Sequence, residues 1–408
     1  MPRNKLIPAI FLTFLIAIIT TGCGGSSGCG TGNITEKWTF LVYMCADNDL
    51  ERYALQDLNE LETIGSNKNV AIVVQIDRSS GFDSSDGNWT TTRRYYITKD
   101  SDTSHIGSVL LDDMGELDMS SESVLGDFIR WGSENYPADH FVLVLWNHGR
   151  GWQTRATMLT PESSIKAINY DQSSMREMNL EQLHLALVAG PRFDIVLFDA
   201  CLMGMLEVAY AIDDNADIMI ASEDNIPAAG QPYHLLLSAL QSKPGMTPYE
   251  FSTLIVNNFV DYYINRTSGP ITASAIELSA IKELANATDH LGSAILQNLD
   301  NERSVVRSVQ QTVQYFDSER MYYNDYKDLY NFAYLLSTQA TTEQVRTIAK
   351  EVTNAVENAI IAERHAGNQV ANARGISIYI SDPGAFSAKY SQIAFAQDTS
   401  WDEFLMQY

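Results

Sequence analysis

Two apolar runs, each closed by a reactive side chain, restrict what this chain can fold into. Phe141-Val142-Leu143-Val144-Leu145-Trp146 leads into Asn147-His148-Gly149, and Phe193-Asp194-Ile195-Val196-Leu197-Phe198 leads into Asp199-Ala200-Cys201. Runs of about six branched and aromatic residues, ended by polar or Gly punctuation, read as strands buried in a parallel sheet. In an open α/β sheet, ligands sit at the carboxyl ends of neighbouring strands. A His and a Cys delivered to that edge form a candidate thiolate–imidazole couple. Singly, Cys201 reads as a core thiol and His148 as a loop residue. Together, each just past a strand, they point to chemistry.

The surrounding pattern agrees with an α/β fold. Strands are expected at Trp38–Ala46, Asn69–Asp77, Trp89–Ile97, Ala167–Tyr170 and Asp217–Ser222. Helices are expected at Leu50–Ile64, from Ser120 to about Tyr136, and around Leu180–Val188. Such alternation predicts a mainly parallel sheet with helices on both faces. From Gln231 onward helical periodicity dominates: Pro248–Tyr263, Ile281–Asn298, Glu302–Tyr315, Leu329–Ser337 and Thr342–Ala362. Two strand-like segments, Thr272–Glu277 and Gly375–Ile380, interrupt it. The reading is a catalytic-type domain over 36–230 and an α-rich region over 231–408 that returns one strand to the main sheet.

The N-terminus addresses the compartment. Arg3 and Lys5 precede an apolar stretch of 14 residues, Leu6–Ile19. A membrane-spanning helix needs about 20 apolar residues, so this stretch reads as a secretory signal over residues 1–22. It ends Thr20-Thr21-Gly22-Cys23, which resembles a bacterial lipobox and implies a mature chain lipidated at Cys23. Plain signal cleavage near Gly22 or Ser26 is the alternative. Gly24 after the cysteine looks like outer-membrane sorting, so the protein is expected at the outer membrane, cell surface or periplasm. Residues 23–35 then read as a Gly/Ser tether.

Charge narrows the partners. The chain carries 27 Lys and Arg against 51 Asp and Glu, a net charge of −24. That balance argues against nucleic acid and anionic lipid surfaces and favours cationic partners. Membrane contact is expected through the lipid anchor alone, and the chain is expected to act as a monomer. The four cysteines do not make a disulfide framework. Cys23 is assigned to lipid, Cys29 lies in the tether, and Cys45 falls in an apolar run as a structural thiol. Cys201 is left with a functional address.

A free thiol is only a few per cent ionised at neutral pH. A neighbouring His corrects this by taking the proton and returning it to the leaving amine. Gly149 brings no Cβ into the cleft, so backbone N–H groups near Gly149 and Cys201 could stabilise an oxyanion. His148 precedes Cys201 by 53 residues, the order and approximate spacing of caspases. No G-x-S-x-G elbow and no H-E-x-x-H motif is present, so serine-hydrolase and zinc-peptidase readings fall away. No metal site is read from the histidines.

Tyr43-Met44-Cys45-Ala46-Asp47-Asn48-Asp49-Leu50-Glu51, Asn147-His148-Gly149, Asp199-Ala200-Cys201-Leu202-Met203 and Ser222-Glu223-Asp224 together resemble the clostripain family of cysteine peptidases. The resemblance implies a caspase-like three-layer α/β sandwich, with His148 as base and acid and Cys201 as nucleophile. It also implies protein or peptide substrates cut after Arg or Lys. Asp199 alternates to the same side as Cys201 and is placed to line the S1 pocket, with Glu223 and Asp224 as lesser candidates. Asp47 and Asn48 are read as fixing the first strand–helix turn. No cofactor is required by this reading. Some family members depend on Ca²⁺, which stays open here, since Asp83-Ser84-Ser85-Asp86-Gly87 lacks an EF-hand's full ligand pattern. Family members can also be cut internally, and Arg150, Arg155 and Lys166 lie in the window between His148 and Cys201. The competing reading is a latent or inactive copy of the fold, kept as a binding or scaffold lipoprotein.

Overall fold

In the computed structural model, which describes residues 37–153, 168–316 and 325–408, the first apolar run forms β1 (Trp38–Ala46), buried along its whole length. There follow α1 (Glu51–Ile64), β2 (Val70–Arg78), β3 (Arg93–Tyr96), β4 (Val109–Asp113), α2 (Glu122–Asn135) and β5 (His140–Trp146). Next come β6 (Ile168–Asp171), β7 (Arg176–Met178), α3 (Leu180–Leu187), β8 (Phe193–Asp199), α4 (Leu206–Ile212) and β9 (Ala216–Ala221). The later part holds α5 (Tyr233–Ser242), α6 (Pro248–Tyr263), β10 (Ile271–Glu277), α7 (Ile281–Gln297), α8 (Leu299–Thr312), β11 (Tyr326–Asp328) and α9 (Leu329–Gln339). It closes with α10 (Glu343–Ala359), β12 (Ile360–Ala366), β13 (Ser377–Tyr379), α11 (Ala394–Asp398) and α12 (Trp401–Gln407).

Nine strands form one sheet in the order β12-β10-β9-β8-β5-β1-β2-β3-β4. The five central strands, β9, β8, β5, β1 and β2, run parallel. Antiparallel pairs extend the sheet at both ends: β10 and β12 beside β9, β3 and β4 beside β2. The central strands are apolar on both faces, as a sheet covered on both sides requires. Along β1, Leu41, Tyr43 and Cys45 join one core with residues of α2, α3, α4, α7, α9 and α10. Phe40, Val42, Met44 and Trp146 face the other way, onto α1, α5 and α6. Helix, sheet and helix make the expected three-layer sandwich.

Several elements, β4, β7, α4, α5, α11 and α12 among them, were not expected from the sequence, and three further differences have a plain physical reason. The later part contributes two strands to the main sheet, where one was expected. β10 matches one of the two strand-like segments named above; β12 begins at Ile360 immediately after α10, inside the stretch read as helix to Ala362. No Gly or Pro marks that change, and the pairing of Ile360–Ala366 with β10 overrides the helical period. The segment read as a strand at Gly375–Ile380 is β13, which pairs with β11 outside the main sheet. The short strand at 168–171 likewise pairs with β7 in a separate ribbon.

Candidate active site

The register of β5 and β8 brings the two reactive residues together. Trp146 pairs with Asp199, so His148 and Cys201, each two residues further on, leave adjacent parallel strands at the same edge. Gly149 measures how close the two loops run: a Cβ there would lie 2.1 Å from the Cys201 carbonyl oxygen. Only glycine permits that approach. Beyond the thiol, Leu202 adopts φ +62, a left-handed turn that a branched side chain takes only when its surroundings hold it there. The Asp224 carbonyl holds it, accepting the Leu202 N–H at 3.1 Å.

His148 is buried, and its Nε2 lies 2.8 Å from Asp49 Oδ1. Two asparagines brace the strand ends beneath it. Asn147 Nδ2 donates to the carbonyls of Cys45 (2.8 Å) and Tyr170 (2.9 Å), and its Oδ1 accepts the His148 N–H at 2.5 Å. Asn48 Nδ2 donates to the same two carbonyls at 3.0 and 3.1 Å, while its Oδ1 accepts the Leu50 N–H at 3.0 Å. Asn48 thus fixes the first strand–helix turn. The half-buried Cys201 Sγ accepts the Ile226 N–H at 3.4 Å. Cys45 differs on every count: it is fully buried, donates to the Tyr170 carbonyl at 3.3 Å, and burial pushes its thiol well up.

A cavity of about 450 Å³ joins His148 and Cys201 to Asp199, with Asp49, Trp146 and Gly230 in its wall. Asp199 is buried, and its Oδ2 accepts from the Gln231 N–H (3.0 Å) and the Tyr233 hydroxyl (2.7 Å). Its Oδ1 has no partner. A Cβ at Gly230 would come within 2.6 Å of the carboxylate, so glycine at that position keeps the carboxylate accessible. Burial pushes the Asp199 carboxyl up to about 6, against the two hydrogen bonds that favour the anion. Asp57, beneath Trp146 and donated to by its Nε1 at 2.7 Å, is raised by burial and then by Asp199. A cation entering here would meet a concentrated negative potential in a low-dielectric pocket.

Glu223 and Asp224 lie outside this cavity, in contrast to the S1 placement expected of them. Met219 and Ala221 face the core on one side of the sheet, whereas Ile195 and Leu197 face the other. Glu223 continues the first set and Asp199 the second, so the sheet separates them. Glu223 Oε2 accepts the Gly375 N–H at 2.9 Å. Asp224 acts through its main chain on Leu202, and its Oδ1 accepts the Asn225 N–H at 2.7 Å. Arg150 is buried, its carbonyl held by the Tyr326 hydroxyl at 2.5 Å, which closes that bond to proteolysis in this state. Arg155, Lys166 and Cys23 lie outside the described residues.

Sequence reasoning missed Asp49, hidden inside an Asp-Asn-Asp run that reads as a helix start; Gly230, which reaches the cavity from a loop with no periodic signal; and Tyr233, the first residue of α5, whose hydroxyl meets Asp199. It also missed a cluster of four carboxylates. One oxygen each from Asp47, Asp77, Glu116 and Asp171 lie within 4.8 Å of one another, with all but Glu116 buried. Asp47 Oδ1 and Asp77 Oδ2 have no hydrogen-bond partner. An all-oxygen set of this kind fits a hard divalent cation such as Ca²⁺.

A thiol and an imidazole on adjacent ends of a parallel sheet, over a buried acid, mark a candidate site on a caspase-like α/β sandwich. The family model that matches residues 42–408 is that of the Clostripain family, and the chain belongs to that family. Clostripain from Hathewaya histolytica is 27% identical over 243 residues, 54% of this chain. The match spans 45% of that relative's length. A secreted C11 cysteine protease from Bacteroides thetaiotaomicron, in complex with an irreversible peptide inhibitor, superposes with TM-score 0.67 at 23% identity. That alignment covers 91% of this chain and 100% of the other. An inactive zymogen C11 protease from Parabacteroides distasonis gives the same TM-score, 0.67, at 23% identity, covering 91% and 99%.

Proposed function

We propose that this protein is an exported cysteine endopeptidase that cleaves peptide bonds after Arg or Lys. The observation that carries the reading is the shared cavity in which buried Asp199, with an unpartnered Oδ1, stands beside His148 and Cys201. An S1 acid of this kind recognises a P1 ammonium or guanidinium by charge-assisted hydrogen bonding. Bringing that cation in relieves the cost of the buried carboxylate, so binding and desolvation act in the same direction.

In the proposed mechanism His148 takes the Cys201 proton and the thiolate attacks the scissile carbonyl. Because Nε2 is engaged by Asp49, Nδ1 is assigned as the proton-carrying nitrogen. Main-chain N–H groups of Gly149 and Cys201 hold the oxyanion, a contribution of ~3–4 kcal/mol per donor in comparable sites. The amine leaves with the proton from His148, giving a thioester. Water, deprotonated by the same imidazole, then releases the acid product and restores the thiol. Asp49 is a positioning residue, orienting the ring as the third member of a triad does.

Fluorogenic peptides with P1 Arg, Lys, Asp or Leu test the reading. Turnover of the Arg and Lys peptides, lost in Cys201→Ala and in His148→Ala, is expected. Turnover that survives in Cys201→Ala would refute it, and a folded protein inert towards all four would favour the latent or scaffold reading. Anchoring through Cys23 is part of the proposal; Cys23→Ser is expected to move the protein from the membrane to the soluble fraction. Among the described residues no helix is long and apolar enough to cross a membrane.

A further inference from the structure

A second cavity, of about 580 Å³, is walled by the continuations of both candidate catalytic loops. Trp152, soon after His148, lines it, as do Glu207 and Tyr210 of α4, the helix that follows Cys201. We propose that this cavity binds the amino terminus of a peptide, with the α-ammonium on Glu207 and the first carbonyl on Trp152. Trp152 and the buried residues of α4 belong to the core on the sheet face opposite Asp199. Among the described residues, none lines both this cavity and the one that joins His148 to Cys201.

Two buried polar groups of opposite kind carry the assignment. Glu207 is 1% exposed. Its Oε1 accepts the Tyr379 N–H and the Tyr390 hydroxyl, both at 2.8 Å, whereas Oε2 has no hydrogen-bond partner among the described residues. Trp152 is 4% exposed, and its Nε1, which can only donate, has none either. The indole packs edge-on against Tyr390, ring centroids 4.9 Å apart, so one tyrosine touches both the indole and the carboxylate. A buried acceptor and a buried donor left without partners are costly until a molecule answers them. An ammonium donates to the carboxylate but cannot accept from the indole; a carbonyl does the reverse. A peptide amino terminus carries the two on either side of one Cα.

The rest of the wall selects against a free acid. Glu181, Asp213, Asp214 and Asp398 stand round the cavity with Lys282 and Lys389. Lys282 is engaged by Asp213 at 3.6 Å and Asp214 at 3.0 Å, and Asp398 Oδ2 accepts the Tyr210 hydroxyl at 2.9 Å. With Glu207 the carboxylates outnumber the lysines, so the field draws an ammonium in and repels a nearby α-carboxylate. A chain that continues through an amide fits better than a free amino acid. The site also spans the two loops. A Cβ at Gly151, φ +65, would lie 2.2 Å from Met205 Sδ, so the histidine loop is packed directly on the lead into α4. An effect of the occupant on catalysis rests on the proposed function; its binding does not.

Triglycine amide, which has no basic side chain for the Asp199 cavity, is titrated into the full chain by calorimetry. N-acetyl-triglycine amide, n-butylamine and free glycine are titrated beside it. One triglycine amide per chain is expected, with each of the other three bound ~10-fold more weakly or worse, as loss of a charge-assisted or buried hydrogen bond implies. Glu207→Gln should weaken the amide by ~10-fold or more and Trp152→Phe, which keeps the ring packing, by ~5-fold. Asp199→Asn should leave its affinity unchanged. No binding to folded wild type, equal binding of the acetylated peptide or of n-butylamine, or unchanged affinity in Glu207→Gln would overturn the site. Should Glu207→Gln not fold, unchanged affinity in Trp152→Phe would do so. Binding lost in Asp199→Asn would place the peptide in the other cavity and equally overturn it.

Discussion

In the proposed S1 role, Asp199 would serve recognition at the expense of stability. Its folded carboxyl sits at about 6, above the usual 3.8, so the folded chain holds the proton more tightly than the unfolded chain. Its contribution to stability is therefore complete below about pH 4 and lost as pH rises through about 6. At pH 8 the buried anion is a net burden. Asp199→Asn is predicted to stabilise the protein at pH 8 by about 1–3 kcal/mol in a denaturant melt while losing Arg and Lys turnover at least 100-fold. A variant less stable than wild type at pH 8 would contradict this. Gly149→Ala is predicted to act in the opposite way: its Cβ, 2.1 Å from the Cys201 carbonyl oxygen, forces the two loops apart. A loss of ~1–3 kcal/mol and a fall in kcat rather than a rise in KM are expected from melts and steady-state rates. The meeting of His148, Cys201 and Asp199 at one sheet edge was legible in the sequence because strands of obvious composition end at them. Asp49 was not, since an acidic residue at a helix start has an ordinary reason to be there, and neither was Gly230, whose role exists only against the Asp199 side chain.

At the scale of elements, the later part of the chain is tied to β9 by a pair of buried acids. Glu223 accepts the Gly375 N–H, while Asp328 caps α9 through the Asn331 N–H (2.6 Å) and takes the Arg374 N–H (2.6 Å). Burial first, then Asp328, raises Glu223, and burial pushes Asp328 up to about 7. Both folded values exceed the unfolded ones, so the contribution of Asp328 is complete near pH 4 and lost as pH rises through about 7, and Glu223 acts in the same direction. Stability is predicted to decline between pH 6 and 9, and Glu223→Gln to flatten that decline, as read from melting temperatures across the range. An equally steep decline in Glu223→Gln would exclude the pair as its source. Glu223 was misread as a pocket residue because β9's alternation tells which face a side chain takes only once the sheet's two sides are known. β12 was missed for a related reason: Ile360-Ile361 continues an apolar pattern that fits helix or strand, and only the β10 partner decides between them.

The molecule as a whole is organised by one sheet that draws strands from both parts of the chain. β10 and β12 cover the β9 edge, and α6 buries Phe251, Ile255 and Phe259 against the same core as Val142 and Trp146. A chain ended at residue 230 would expose that strand edge and that apolar face. It is predicted to show no cooperative thermal transition, whereas the full chain should melt in one step by calorimetry; an independently melting 36–230 fragment would establish two autonomous domains. The sandwich itself was readable from the alternation of strands and helices before residue 230. The path of the later strands was not, because long-range pairing leaves little local trace.

The central claim is that Cys201 is the nucleophile of a site that selects a basic side chain. The most direct test is labelling with an irreversible, thiol-directed peptide carrying P1 Lys, followed by intact-mass and peptide-mapping mass spectrometry. One adduct per chain, located at Cys201, absent from buried Cys45 and strongly reduced in Asp199→Asn or with a P1 Asp peptide, is the predicted result. Labelling at another residue, or labelling of Cys201 at the same rate whatever the P1 side chain, would contradict it.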